Sequence, residues 1–110
     1  MTATYRLHLG DESCTVRAAS PEAAKRKAAQ VFADRRHGII ERRRNRQSGT
    51  TVLLIDSALV PGEYDEAGGR WQTFCEDHGS ICSHESRRVA VDFLAEPADW
   101  CPGCTEIVDG

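Results

Sequence analysis

Two short pairs of metal-ligating residues stand out near the end of the chain. Cys75 and His78 are separated by two residues, and so are Cys101 and Cys104, with 22 residues between the pairs. Structural zinc sites are built in this way, because two tight turns each present two ligands to one tetrahedral ion. Gly79 directly follows His78, and a ligand-bearing turn often needs a positive φ angle. We therefore predict a zinc site in which these four residues supply three thiolates and one imidazole.

Other thiols and imidazoles compete for places in this site. Cys82 could replace His78 to give a site of four cysteines. His84 could replace either His78 or Cys82. Cys14 is distant in sequence, and as a small apolar residue on a predicted strand it needs no metal to explain it. Five cysteines favour metal binding over disulfides, because an odd number cannot be fully paired. The fourth ligand therefore stays open between His78, Cys82 and His84.

Two kinds of catalytic site use similar motifs. The segment 100–104 is similar to the active-site motif of thioredoxins with its middle pair reversed, but most of that fold follows the motif and only six residues follow Cys104. A zinc deaminase needs His-x-Glu and a later Pro-Cys-x-x-Cys. Here His84 and Glu85 are adjacent, and Trp100 stands where that proline should be. Four protein ligands also leave no open metal position for water, so we predict a protein that is not an enzyme.

The ligand pairs resemble the knuckles of zinc-ribbon and treble-clef lobes. The order Cys-x-x-His-Gly and then Trp-Cys-x-x-Cys is similar to the end of small bacterial and phage proteins. It covers Trp71 to Cys104, about a third of the chain. The resemblance implies metal binding in that segment and nothing about the residues before it.

Positive and negative charge are divided between the two halves of the chain. Residues 1–55 contain eleven Lys or Arg against five Asp or Glu, a net charge of +6. Residues 56–110 contain three against twelve, a net charge of −9. Such a division predicts separate surfaces with separate partners.

Six arginines of the basic half lie within twelve residues: Arg35, Arg36, Arg42, Arg43, Arg44 and Arg46. On a hairpin, Arg42, Arg44 and Arg46 would project from one face and Arg43 from the other. Such a hairpin can follow a phosphate backbone, so we predict nucleic acid as the partner of this region. One alternative is a solvated hairpin that resists aggregation. Another is an Arg cluster that meets an acidic partner or the protein's own acidic second half.

A second hypothesis assigns function to the acidic half. The zinc lobe could act as a protein–protein adaptor or inhibitor, of the anti-defence or DNA-mimic type encoded by phages and mobile elements. No small-molecule substrate is evident. No apolar run approaches the length of a transmembrane helix, and residues 1–10 are too polar for a signal peptide, so we expect a cytoplasmic protein without membrane contact.

The elements that must position these residues follow from local patterns. Alternating apolar residues over 5–9 and a turn at 10–12 predict a hairpin, and Ser20 with Pro21 is typical of a helix start. Residues 39–46 and 51–55 predict a second hairpin. Residues 61–70 are polar and rich in Gly, as in a linker or loop. Ser83 is predicted to cap a short helix that begins near His84.

We therefore predict an α+β protein. Its first part, 1–60, would be a ββαββ unit in which a small antiparallel sheet packs on one helix. Residues 61–70 would be a linker or loop, and residues 71–110 a zinc-bound lobe that contains a short helix.

Overall fold

The computed structural model of the protein describes residues 1–65 and 67–109. It is an α+β structure with two antiparallel sheets, which confirms the predicted class. The strands are β1 (Ala3–Leu9), β2 (Glu12–Ala18), β3 (Ile39–Arg44), β4 (Thr51–Asp56), β5 (Trp71–Cys75) and β6 (Ile81–His84). The helices are α1 (Pro21–Arg36), α2 (Arg87–Ala95) and α3 (Pro102–Asp109). None of these helices is long and apolar enough to cross a membrane.

The chain divides into two compact units, Met1–Arg36 and His37–Gly110. In the first unit, β1 and β2 form a two-stranded antiparallel sheet and α1 packs against it. The hydroxyl of Ser20 accepts the backbone N–H of Ala23, so Ser20 caps the helix as its sequence position predicts. The core of this unit is small and is centred on Cys14, Ala28 and Phe32.

The second unit is built on a four-stranded antiparallel sheet with the order β3-β4-β5-β6. The β3–β4 hairpin forms as predicted, and the side-chain oxygen of Asn45 holds its turn by accepting the N–H groups of Gln47 and Ser48. Strand β4 lies in the interior of the sheet, and Val52 to Ile55 are at most 4% exposed. An apolar strand of this kind needs a neighbour on each edge and cover on each face.

The two predicted hairpins of the ββαββ order belong to different sheets. We expected β3 and β4 to join β1 and β2, but they share a sheet with β5 and β6 of the predicted metal-binding segment, and β4 pairs with β5. The reason is that β4 has two hydrogen-bonding edges, and β5 fills the edge that β3 leaves open. The chain therefore divides into its two compact units after Arg36. The composition of the sequence predicted boundaries at residues 61 and 71 instead.

Helix α2 covers one face of the four-stranded sheet. Val52 and Leu54 from β4 pack with Ala90 and Leu94 from α2 in a fully buried cluster. This helix begins later than the sequence indicated. Ser83 pairs with Gln72 inside the sheet, so the strand β6 occupies the residues where we expected the helix to start. Ser86 is the N-cap instead, because its hydroxyl accepts the N–H of Val89.

The segment predicted to be a linker is attached to the sheet at several points. The Arg70 guanidinium donates two hydrogen bonds to the buried carboxylate of Asp56, at 2.7 and 2.8 Å. Gln72 donates its side-chain amide to the backbone oxygen of Asp65 at 2.7 Å. The hydroxyl of Tyr64 donates to the backbone oxygen of His37. These contacts pack Tyr64, Asp65 and Arg70 of the predicted linker or loop against other residues of the second unit.

Candidate metal centre

The first ligand pair lies in the turn that joins β5 to β6. Cys75 is the last residue of β5, and His78 lies in the turn. The turn is closed by two backbone hydrogen bonds, from the N–H of Gly79 to the oxygen of Cys75 and from the N–H of Cys75 to the oxygen of Ser80. Gly79 has a φ angle of +74°, as its place after the ligand predicts.

The second ligand pair lies at the start of α3. Cys101 directly precedes the helix, Pro102 is its first residue, and Cys104 is in its first turn. The N–H of Thr105 donates to the oxygen of Cys101, which begins the helical hydrogen-bonding pattern. A helix N-terminus carries partial positive charge, so this position favours thiolate over thiol. Proline suits the first helical position because an N–H group there would have no partner in the helix, so its absence loses no hydrogen bond.

The two pairs converge on one point. The Nδ1 atom of His78 is 3.3 Å from the Sγ atom of Cys75 and 3.4 Å from those of Cys101 and Cys104. The sulfurs of Cys75 and Cys104 are 3.7 Å apart, and all four ligand atoms lie within 4.8 Å of one another. Around a tetrahedral zinc ion, usual bond lengths place two sulfurs about 3.8 Å apart, and a sulfur and a nitrogen about 3.6 Å apart. The four atoms are therefore close enough to bind a metal ion.

Burial differs among the ligands. The three cysteines are fully buried and form their own cluster, against which Trp100 packs, whereas His78 is exposed. The imidazole of His78 lies over Gly103. A Cβ atom at position 103 would come within 2.5 Å of the His78 ring carbons, so only glycine leaves room for the ring. The ring can then offer Nδ1 to the sulfurs while Nε2 meets solvent.

Polar side chains outside the candidate ligand set hydrogen-bond to two of the sulfurs. The hydroxyl of Thr50 is 3.3 Å from the Sγ atom of Cys104 and 2.6 Å from the hydroxyl of Ser48, and both hydroxyl residues are buried. The side chain of Ser80 hydrogen-bonds to Cys101. These partners orient ligands and tune a metal site. The ligand spacing gives no signal for them, because Thr50 comes from the β3–β4 turn and meets Cys104 only in the folded chain.

The thiols differ in their affinity for protons. Burial raises the pKa of the Cys75 thiol to about 12, although the backbone N–H of His78 hydrogen-bonds to it. Burial also raises the pKa of Cys101, but hydrogen bonds from Ser80 and from the backbone of Cys104 outweigh it and lower that pKa to about 6. Neighbouring thiolates repel one another, and a bound cation would offset that repulsion.

The competing ligands lie elsewhere. His84 is buried, hydrogen-bonds to the hydroxyl of Thr73 at 3.0 Å and packs against Phe93 with 4.5 Å between ring centroids. Cys82 lies on β6, opposite Thr73, and is partly buried. Neither residue belongs to the cluster that could hold a metal ion. Cys14 lies in the core of the first unit, as expected for a small apolar residue.

The six clustered arginines are divided between the two units. Arg35 and Arg36 end α1, and Arg35 donates to the backbone oxygen of Ser13. Arg42, Arg43 and Arg44 are on β3, and Arg46 is in the turn that follows. Arg42 forms an ion pair with Glu76, and Arg43 forms one with Glu41 at 2.6 Å. Arg44 and Arg46 are exposed, and neither has an ion-pair partner among residues 1–65 and 67–109.

Comparison of the chain with protein-family models, with curated proteins and with solved structures finds no match. The site is therefore characterised by its own geometry, which brings together two sequence-distant ligand pairs.

Proposed function

We propose that this is a zinc-binding protein in which Cys75, His78, Cys101 and Cys104 hold one Zn2+ ion. The observation that carries the proposal is the near-equal distance from His78 Nδ1 to three buried sulfurs. Thiolates with one imidazole in a tetrahedral arrangement suit zinc, whereas magnesium and calcium prefer oxygen ligands. With three thiolates, the occupied site would carry a net charge of −1.

The ion would act as a structural link. Cys75 ends a strand of the sheet, and Cys101 and Cys104 belong to the start of α3, so a shared ion joins the helix to the sheet. Exposed apolar residues Ile107 and Val108 show that α3 buries little of its own surface. A short helix of this kind needs another source of stability, and structural zinc contributes directly to folding free energy. With four protein ligands, no position remains for a substrate or a catalytic water.

Native mass spectrometry of the purified protein tests this assignment. We expect one zinc ion per chain, and we expect Cys101→Ser and His78→Ala to lose it or to bind it much more weakly. The matched controls are Cys82→Ser and His84→Gln, which change the competing residues and should keep one ion. Zinc loss in the controls, or full zinc in His78→Ala, would require a different ligand set.

A second candidate function is nucleic-acid binding through the β3–β4 hairpin. The observation that favours it is the exposure of Arg44 and Arg46 at the end of that hairpin. Arg42 and Arg43 already have acidic partners, so they would contribute less charge to a phosphate backbone. Arg35 and Arg36 end α1 in the other unit, and their role in nucleic-acid binding stays a prediction.

Electrophoretic mobility shifts over a salt series test nucleic-acid binding. Affinity should fall as the salt concentration rises. Replacing Arg44 by Ala, or Arg46 by Ala, should in each case lower the slope of log affinity against log salt concentration by about one. Arg88→Ala on α2 is the matched control for loss of one exposed charge. If no shift appears at low salt, the protein-adaptor or inhibitor hypothesis is favoured, with the acidic residues of 56–110 as its surface.

A further inference from the structure

The face of the four-stranded sheet opposite α2 contains an apolar groove. Its volume is about 210 Å³, and it is lined almost entirely by apolar atoms. The lining residues are His37, Ile39, Leu53, Ile55, Tyr64, Phe74 and Ile81. Leu53 and Ile55 alternate along β4 with the residues that pack on α2, so the groove lies on the opposite side of the sheet.

The strand register explains the shape of the groove. Leu53, Phe74 and Ile81 are direct neighbours across three strands, and they form its floor. Tyr64 stands at one side, where its hydroxyl donates to the backbone oxygen of His37. The floor opens toward β6, the edge strand, where Ile81 is 52% exposed.

Positive charge lies at the β3 end of the same face. Arg42 is the register neighbour of Leu53, and Arg44 lies two residues further along β3 on the same side. Glu76 balances the charge of Arg42. Arg44 therefore supplies positive charge beside the apolar floor.

We propose that this groove binds a segment of a partner protein that carries one aromatic side chain followed by acidic residues. An apolar cavity of about 150 Å³ holds benzene, so about 210 Å³ admits a phenylalanine or tryptophan side chain. Buried aromatic anchors of this kind commonly carry most of the affinity in protein interfaces. Acidic residues after the anchor would lie near Arg44, which provides charge complementarity.

A protein segment fits these observations better than nucleic acid does. A phosphate backbone would use Arg44 but would leave Phe74 and Ile81 without an apolar partner. The groove also presents few polar atoms with which to orient a polar small molecule. A segment with an aromatic anchor and an acidic flank accounts for both the apolar groove and the positive charge beside it.

NMR chemical-shift mapping on the zinc-loaded full chain tests the proposal. The probe is a short acetylated peptide in which one tryptophan is followed by glutamates, compared with the same peptide carrying lysines in place of the glutamates. We expect shifts confined to the groove, at Leu53, Phe74 and Ile81, and affinity about tenfold weaker for the lysine peptide. The proposal would be overturned if no chemical shift changed at a millimolar concentration of the glutamate peptide, or if the two peptides bound with equal affinity.

Two substitutions and two matched controls locate the binding surface. Ile81→Lys should abolish binding, and Arg44→Glu should weaken the glutamate peptide at least about tenfold. Val89→Lys and Arg88→Glu make the same changes on α2, on the other side of the sheet, and should leave binding unchanged. An oligonucleotide titrated in parallel separates the alternative. If the oligonucleotide binds the Ile81→Lys variant while the peptide binds neither this variant nor the wild type, Arg44 binds nucleic acid and the groove proposal fails.

Discussion

His78 and Gly103 are in direct contact although 24 residues lie between them, and the imidazole ring occupies the space that any Cβ atom at position 103 would need. The contact joins the β5–β6 turn to the first turn of α3. Gly103 has no ligand atom of its own, and it nevertheless helps to shape the candidate metal site.

Replacing Gly103 by Ala should weaken zinc binding. The new methyl group would displace the His78 ring from the three sulfurs, and we expect a loss of about 10- to 100-fold in affinity, as is usual when a supporting residue of a metal site is changed. Competition with a chromophoric chelator measures this. Gly10→Ala is the control, because its Cβ meets no atom within 4 Å and any backbone strain lies in the other unit. Unchanged affinity in Gly103→Ala would contradict a role for this glycine in the site.

Thr50 should support the site through its hydroxyl. Thr50→Val keeps the shape of the side chain but removes the hydrogen bond to Cys104, so we expect zinc affinity to fall about tenfold or more. Thr50→Ser keeps a hydroxyl and should retain most of the affinity. The same chelator competition measures both variants. Equal affinity in the valine and serine variants would show that packing, and not the hydrogen bond, is what Thr50 contributes.

The pair Asp56–Arg70 should stabilise the second unit. Asp56 is buried, and its carboxylate accepts two hydrogen bonds from Arg70 and one from the backbone of Ala58. The Arg70 hydrogen bond is the main cause that lowers the pKa of Asp56 below 3.8, so the carboxylate is charged at neutral pH. Asp56→Asn should lower the free energy of unfolding by about 2 kcal/mol, as for hydrogen bonds to charged groups.

Urea denaturation of the zinc-loaded protein at neutral pH measures this loss. Asp92→Asn is the control, because Asp92 is an exposed residue of α2 and its change should stay within about 0.5 kcal/mol. If the two variants unfold at the same urea concentration, the Asp56–Arg70 pair makes no net contribution.

His84 should make the stability of the second unit depend on pH. Burial lowers the pKa of His84 below 6.5, because the charged imidazole would lose its hydration. The unfolded chain therefore takes up this proton first, and stability falls as the pH drops below about 6.5 until the folded pKa is reached. Denaturation at several pH values measures the fall, and it should be shallower in His84→Gln than in the wild type.

An exposed histidine on β1 gives the control for this pH dependence. His8→Gln should leave the pH dependence unchanged, since His8 lies in the other unit. NMR titration of the His84 ring gives an independent test, and a pKa at or above 6.5 would refute the assignment.

Local sequence determined the ligand pairs and the hairpins. Two ligands separated by two residues need only a tight turn or the first turn of a helix, and such geometry is a property of a few consecutive residues. The β3–β4 hairpin and the capped start of α1 also follow from neighbouring residues, and each appears where its pattern places it. The clustering of Cys75, His78, Cys101 and Cys104 could therefore be predicted, although the spacing alone left Cys82 and His84 as competitors.

Tertiary structure decided what those elements pair with. β4 could accept β1, β2 or β5 at its second edge, since backbone hydrogen bonds carry little sequence information. In the structure β5 fills that edge, and α2 covers the face that contains Val52 and Leu54. That choice places Thr50 beside Cys104, and it divides the clustered arginines between two units. His84 is excluded from the metal cluster for the same reason, because the strand β6 turns it toward Thr73 and Phe93. Contacts between residues far apart in sequence depend on the whole packing arrangement, which no short window of sequence encodes.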